Sequence, residues 1–200
     1  MLSNDQYLFN RVNLYLSEVD QRLQLSINRV QLEELALRIQ SLECEWENFS
    51  ELLKEITGCG RVMNRSALAN PYSIMTEINL SNGEDSLLVL LSALGDFYGF
   101  YFYSHTKKAS WPVRLYKRKR NERVEIIQWE DPQISYFPFS EEQQMVVDQV
   151  ETRLGKSFPG FVRFNSDLAV IPIYDIRIRE EFYPKLDLFQ VVFIYEPVCF

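Results

Sequence analysis

Two hundred residues suffice for one domain, or a domain with a helical appendage, and the apolar share of 46%, rich in Phe and Tyr, excludes a disordered chain. A formal charge of −7 argues against a general nucleic-acid coat and favours a basic protein partner over an anionic membrane surface. The opening residues MLSNDQYLFNRVN lack the pattern of a secretory signal, and the most apolar window, SLLVLLSAL at 86–94, is too short to span a bilayer. Cys44, Cys59 and Cys199 are odd in number and widely spaced, neither a disulfide framework nor a zinc site, so a cytoplasmic location is expected.

The first unit, residues 1–57, contains no Gly or Pro from about residue 5 onward. Leu32, Leu35, Ile39, Leu42, Trp46, Phe49, Leu53 and Ile56 recur at spacings of three and four, which predicts one apolar stripe on a helix, with Gly58 placed to supply a left-handed cap. An earlier stripe, Phe9, Val12, Leu16, Val19, Leu23 and Val30, is out of phase with it. The break falls near SINRVQLEE, where Asn28 with Gln31 resembles a capping box. Two antiparallel helices are expected, with one long helix as the alternative. The stripe packs within the chain or forms a coiled-coil seam that recruits a second copy or a partner helix, so monomer and homodimer both stay open. Glu43, Glu45, Glu47, Glu51 and Glu55 make the opposite face acidic.

Residues 58–84 read as a connecting segment, with turn signals at Gly58, Gly60, Asn70-Pro71 and Asn82-Gly83 and a short helix or strand within. An α+β unit is expected over 85–200, packed with the rest as one body. EDSLLVLLSALG reads as a buried helix ending at Gly95. FYGFYFYS (97–104), VRLYKRK (113–119) and VEIIQWE (124–130) read as an antiparallel meander rich in aromatic residues. Ser140 and Gln143 mark the start of a second helix, with Val146, Val147, Val150 and Leu154 inward and Gly155 at its end. LAVIPIYDIRIR and DLFQVVFIYE then read as strands, the first at an edge or bulge because of Pro172 and the second central. The fold class is therefore α+β: an N-terminal helical pair or long helix, then a mostly antiparallel aromatic-rich sheet with two further helices.

Common catalytic constellations are missing. His105 is the single histidine, which rules out paired-imidazole and histidine-rich metal sites. Neither a nucleophile elbow nor a phosphate-binding glycine loop is present, and Cys59 in GCG is explained by a turn. Glu125, Glu130, Asp131, Asp167, Asp175, Glu180 and Glu181 lie in or beside strands, a set that folding can assemble into a magnesium site or an acid/base pair, although carboxylates there usually hydrate a rim or pair with Arg; Arg177 and Arg179 lie beside Asp175. No cofactor, metal or enzymatic activity is expected.

The remaining feature is a basic strip. Between 107 and 123 eight cations stand against Glu122, a local +7 that leaves −14 on the other residues. Tyr98, Phe100, Tyr103, Trp111, Tyr116 and Trp129 surround it, a combination able to neutralise phosphates and stack bases, or simply the solvated face of a hairpin. The function expected from these features is non-enzymatic protein binding, as a stoichiometric inhibitor, an immunity-type protein or an adaptor, with no membrane role. The alternative is a nucleic-acid or phosphate-binding module built on the hairpin 97–129. Candidate binding residues are Lys117, Lys119, Arg120, Trp111 and Tyr116 on the strip, and Glu43, Glu47 and Glu51 on the helix.

Overall fold

The periodic run beyond Leu32 is a helix, and the described part of the run before it is a pair of strands. A computed structural model describes residue 6 and residues 16–19, 22–27, 29–66, 73–92, 94–104, 114–117, 125–128, 133–178 and 181–193. Strands β1 (Leu16–Val19) and β2 (Arg22–Ile27) form an antiparallel hairpin, with Leu16 opposite Leu25. The expected first helix of the N-terminal pair is thereby corrected over 16–27; Phe9 and Val12 of its stripe lie outside the described residues. In RLQLSI, Leu23, Leu25 and Ile27 alternate with polar residues, and this period of two overrides the looser three-and-four spacing. Helix α1 (Arg29–Leu53) then begins where the phase of the pattern breaks; Asn28 lies outside the described residues. Leu35, Ile39, Trp46, Phe49, Leu53 and Ile56 are all buried, and Gly58 follows with a φ of 89°, the left-handed region expected of it.

Segment 58–84 holds two strands, β3 (Cys59–Asn64) and β4 (Ser73–Leu80). The Asn82-Gly83 turn, in which the Asn82 side-chain oxygen accepts from the Glu84 and Asp85 N–H groups (3.0 and 3.1 Å), reverses the chain into β5 (Asp85–Ser92). This corrects the helix expected over 85–95. Every residue of β5 is buried, because β4 and β6 (Phe97–Ser104) flank it and both faces are covered, so its apolar run shows no period. β3 to β6 form an antiparallel meander.

A third correction concerns β6. It does not pair with the basic strip; β7 (Arg114–Lys117) and β8 (Glu125–Gln128) form a separate two-stranded sheet in which Lys117 stands opposite Glu125. The free edge of β6 is shared by β9 (Gln133–Ser135), antiparallel beside Phe102–Ser104, and by β10 (Val162–Arg163), parallel beside Phe97 and Tyr98.

Between them lies helix α2 (Glu141–Ser157), capped by Ser140, whose Oγ accepts from the Gln143 N–H at 3.2 Å. Gln143 Oε1 in turn accepts from the Phe139 N–H (2.6 Å), one residue before the reciprocal bond of a standard capping box. Gly155 does not end this helix: it sits exposed in the last turns, and the cap is Phe158, whose N–H donates to the Leu154 carbonyl (2.7 Å).

β11 (Pro172–Ile178) and β12 (Glu181–Asp187) are antiparallel, and β11 joins β2 in parallel to give the order β1-β2-β11-β12. Pro172 is the first residue of β11 and, away from the β2 contact at Arg177 and Ile178, is paired on one side only, opposite Asp187, a local edge that tolerates proline. The strand expected from DLFQVVFIYE is corrected to helix α3 (Leu188–Phe193). Its start is fixed by reciprocal bonds: the Gln190 N–H donates to Asp187 Oδ1 (2.8 Å) and the Asp187 N–H to Gln190 Oε1 (3.0 Å).

The main sheet thus separates two cores. On one face α1 and α2 pack over Ile74, Ile78, Val89, Leu91 and Phe102. On the other, α3 covers Leu88, Leu90 and Tyr101 together with Tyr136 and Phe164. The approach of α3 is close enough to require Gly99, where a Cβ would meet the Phe193 ring at 2.6 Å. The fold is α+β with a mostly antiparallel, aromatic-rich main sheet.

Candidate functional site

The charge of the chain is concentrated on the helical layer. Residues 29–57 and 141–157 carry eleven carboxylates against five cations, a net −6. Burial of the Trp46 stripe turns Glu43, Glu45, Glu47, Glu51 and Glu55 outward, and all five are exposed. Glu43, Glu47 and Glu51 recur every fourth residue and so lie along one side of α1. Three of these cations are engaged: Arg38 with Asp96, Lys54 with Glu51 (2.6 Å) and Arg153 with Glu55 (3.4 Å). Such exposed pairs each contribute about 1 kcal/mol or less, but together they leave the layer a net acceptor of positive charge.

Beneath this surface Tyr98 reaches Glu151 (3.4 Å), which also pairs with Arg163 (3.1 Å). Burial, reinforced by Glu151, pushes the Tyr98 hydroxyl up to about 12. Burial likewise holds the Cys59 thiol up at about 11, opposed only in part by Arg153, so it is not a thiolate near neutral pH. Cys44 is exposed on α1.

A third group sits on the opposite side of the main sheet. Asp187, the last residue of β12, caps α3 through Oδ1 and accepts from the Tyr136 hydroxyl through Oδ2 (2.5 Å). Burial pushes its carboxyl up to about 6, against the lowering effects of the Tyr136 hydroxyl, the Gln190 N–H and Lys185. The Asp-x-x-Gln spacing of residues 187–190 was a legible signal for this cap, overlooked in favour of the apolar run that follows.

Of the sequence-predicted binding residues, Glu43, Glu47 and Glu51 are brought together on one exposed face. Tyr116 and Lys117 lie in β7, whereas Trp111, Lys119 and Arg120 fall outside the described residues. Phe100, expected beside the strip, is buried with 2% exposure under α2, and Arg163 sits over its ring at 5.4 Å. Tyr98 and Tyr103 are half-buried. Of the strand-end carboxylates, Asp167 lies in a 3-10 turn, Asp175 in β11, Glu181 in β12 and Glu125 in β8, while Glu130, Asp131 and Glu180, like His105, fall outside the described residues. Among the described residues no group of three His, Cys, Asp or Glu side chains is placed to hold a metal ion, and no helix is long and apolar enough to cross a membrane.

Sequence reasoning also missed a line of exposed apolar residues on α1, Val30, Leu37 and Cys44, seven residues apart. The spacing was readable, but Val30 had been assigned to the earlier stripe. Comparison with protein-family models, with curated proteins and with solved structures gives no match.

Proposed function

We propose that this protein is a non-enzymatic cytoplasmic binding protein, of the stoichiometric-inhibitor, immunity or adaptor kind, that engages a basic protein through the acidic outer surface of α1. The observation that carries this reading is the exposure of Glu43, Glu47 and Glu51 along one side of a helical layer of net charge −6. Complementary charge on a partner raises the association rate and disfavours wrong partners. The test is affinity capture from the native cell, followed by kinetics with the captured protein. Reversing Glu43, Glu47 and Glu51 to Lys together should slow association by tenfold or more, and added salt should slow the wild type in the same direction. A partner indifferent to both changes removes the reading.

The hairpin supports a second reading. The residues joining β7 to β8, 118–124, carry four cations and one carboxylate, a suitable grip for phosphates. Burial of Phe100 weakens it, because a stacked base needs an open aromatic face. Under the protein-binding reading, anisotropy with single-stranded DNA or RNA at about 50 mM salt shows nothing tighter than weak nonspecific association, on the order of 10⁻⁴ M. Saturable binding below a micromolar that disappears when Lys117, Lys119 and Arg120 become Ala would put the second reading first.

A further inference from the structure

The acidic surface of α1 is not uniformly polar. Val30 and Leu37 are 63% and 66% exposed, and Cys44 is exposed with them. Seven residues are 20° short of two helical turns, so these three side chains form a nearly straight line of about 21 Å along the axis. The line lies opposite the buried stripe of Leu35, Ile39, Trp46 and Phe49, and α1 is therefore apolar on two sides. Leu52, 42% exposed, continues the outer surface beyond the line. The helical repeat places Glu33 and Glu47 to one side of the line and Glu34 and Glu45 to the other, all of them exposed, and Glu51 ends the line one repeat beyond Cys44.

From this arrangement we infer that the partner presents a basic amphipathic helix, seated lengthwise on Val30, Leu37 and Cys44 with its cations against the flanking carboxylates. This rests on the protein-binding reading above and adds the form of the ligand. The seven-residue repeat is the spacing at which two helices keep contact along their length, which a strand crossing the same surface would not match. Charge decides between a foreign helix and a second copy of this chain. A second α1 would bring its own acidic flanks against Glu33, Glu34, Glu45 and Glu47, whereas a helix flanked by Lys or Arg meets opposite charge on both sides.

The experiment uses the full chain and two synthetic peptides of about 24 residues. One carries Leu every third and fourth position with Lys on either side; the other has the same composition, scrambled so that no apolar face forms. Titration calorimetry should show the amphipathic peptide binding at least tenfold tighter than the scrambled one. The paired change Val30→Ser and Leu37→Ser should erase that difference without altering the circular dichroism melt, since both side chains are exposed. The charge variant Glu43→Lys, Glu47→Lys, Glu51→Lys should weaken both peptides. Equal binding of the two peptides overturns the helix inference while leaving the electrostatic reading standing; no binding of either overturns the inference too. Should the charge variant bind both peptides as the wild type does, the electrostatic reading fails. Concentration-dependent sedimentation of the chain alone, lost on Val30→Ser and Leu37→Ser, would assign the line to a second copy and also overturn the inference.

Discussion

Replacing Asp187 with Asn should make the protein more stable near neutral pH, even though Asp187 caps a helix. In the folded chain burial raises this carboxyl from 3.8 to about 6, despite the Tyr136 hydroxyl and the Gln190 N–H that favour its charged form. At about 1.36 kcal/mol per unit, holding it ionised above pH 6 costs the native state about 3 kcal/mol relative to the neutral acid. The direction follows from proton binding. Below pH 4 the side chain is protonated in both states; between 4 and 6 the unfolded chain ionises while the folded chain does not, so stability falls as pH rises through that window. Above 6 the loss is complete. Asn keeps an oxygen for the Gln190 N–H, and its NH₂ can donate to the Tyr136 oxygen, but it carries no charge. Urea unfolding of both proteins from pH 4 to 8 should therefore give a stability difference that moves in favour of Asn by about 3 kcal/mol across the window and is then level. Other carboxylates titrate there, but they cancel in the difference. Parallel pH profiles for the two proteins would refute the reasoning. Tyr136→Phe, which removes a group that lowers the pKa, should shift the wild-type window upward.

Trp46→Ala should cost about 3–5 kcal/mol, since the ring is fully buried against Phe49 and Phe158, and the thermal midpoint should not change over a hundredfold range of concentration. Gly99→Ala should cost about 1–3 kcal/mol by chemical denaturation, because the new methyl group meets the Phe193 and Phe189 rings below 3.0 Å; full stability would mean that α3 packs elsewhere. In a Cys199→Ser background, a maleimide at pH 7.5 should label Cys44 promptly and Cys59 only on unfolding, as mass spectrometry of the digested adduct would show.

The parts of the fold that were readable in the sequence are those where a single face is buried. α1 and α2 declared themselves because Trp46 and Val150 turn inward while Glu47 and Asp148 turn outward, and the period of 3.6 survives. β5 and α3 were misread in opposite senses for one reason: each is buried all round, so neither shows a period, and the Leu-rich run suggested helix while the Val-Phe run suggested strand. Local capping chemistry at Asp187 and Gln190 held the information that composition lacked. The acidic half of the candidate surface could be read from Glu43, Glu47 and Glu51. Val30 was harder to place, because its role depends on where α1 begins, and the strands before it mimic a helical spacing.

The parallel register between β2 and β11 has a consequence for the order in which the chain can fold. Each strand of the β3–β6 meander pairs with its neighbour in sequence, so that sheet can form as it is made. Ser26, by contrast, pairs beside Arg177, roughly 150 residues later. At synthesis rates of about 5–20 residues per second, the β1–β2 hairpin precedes its partner strand by on the order of ten seconds. A lone two-stranded hairpin is marginal in water, and the side of β2 that will receive β11 presents unpaired backbone groups during that interval. Closing so long a loop costs little at equilibrium, since each doubling adds only about 0.6 kcal/mol. The penalty falls instead on rate: the second sheet is the late event, and nascent chains stalled before Pro172 should be the ones that misassemble through β2.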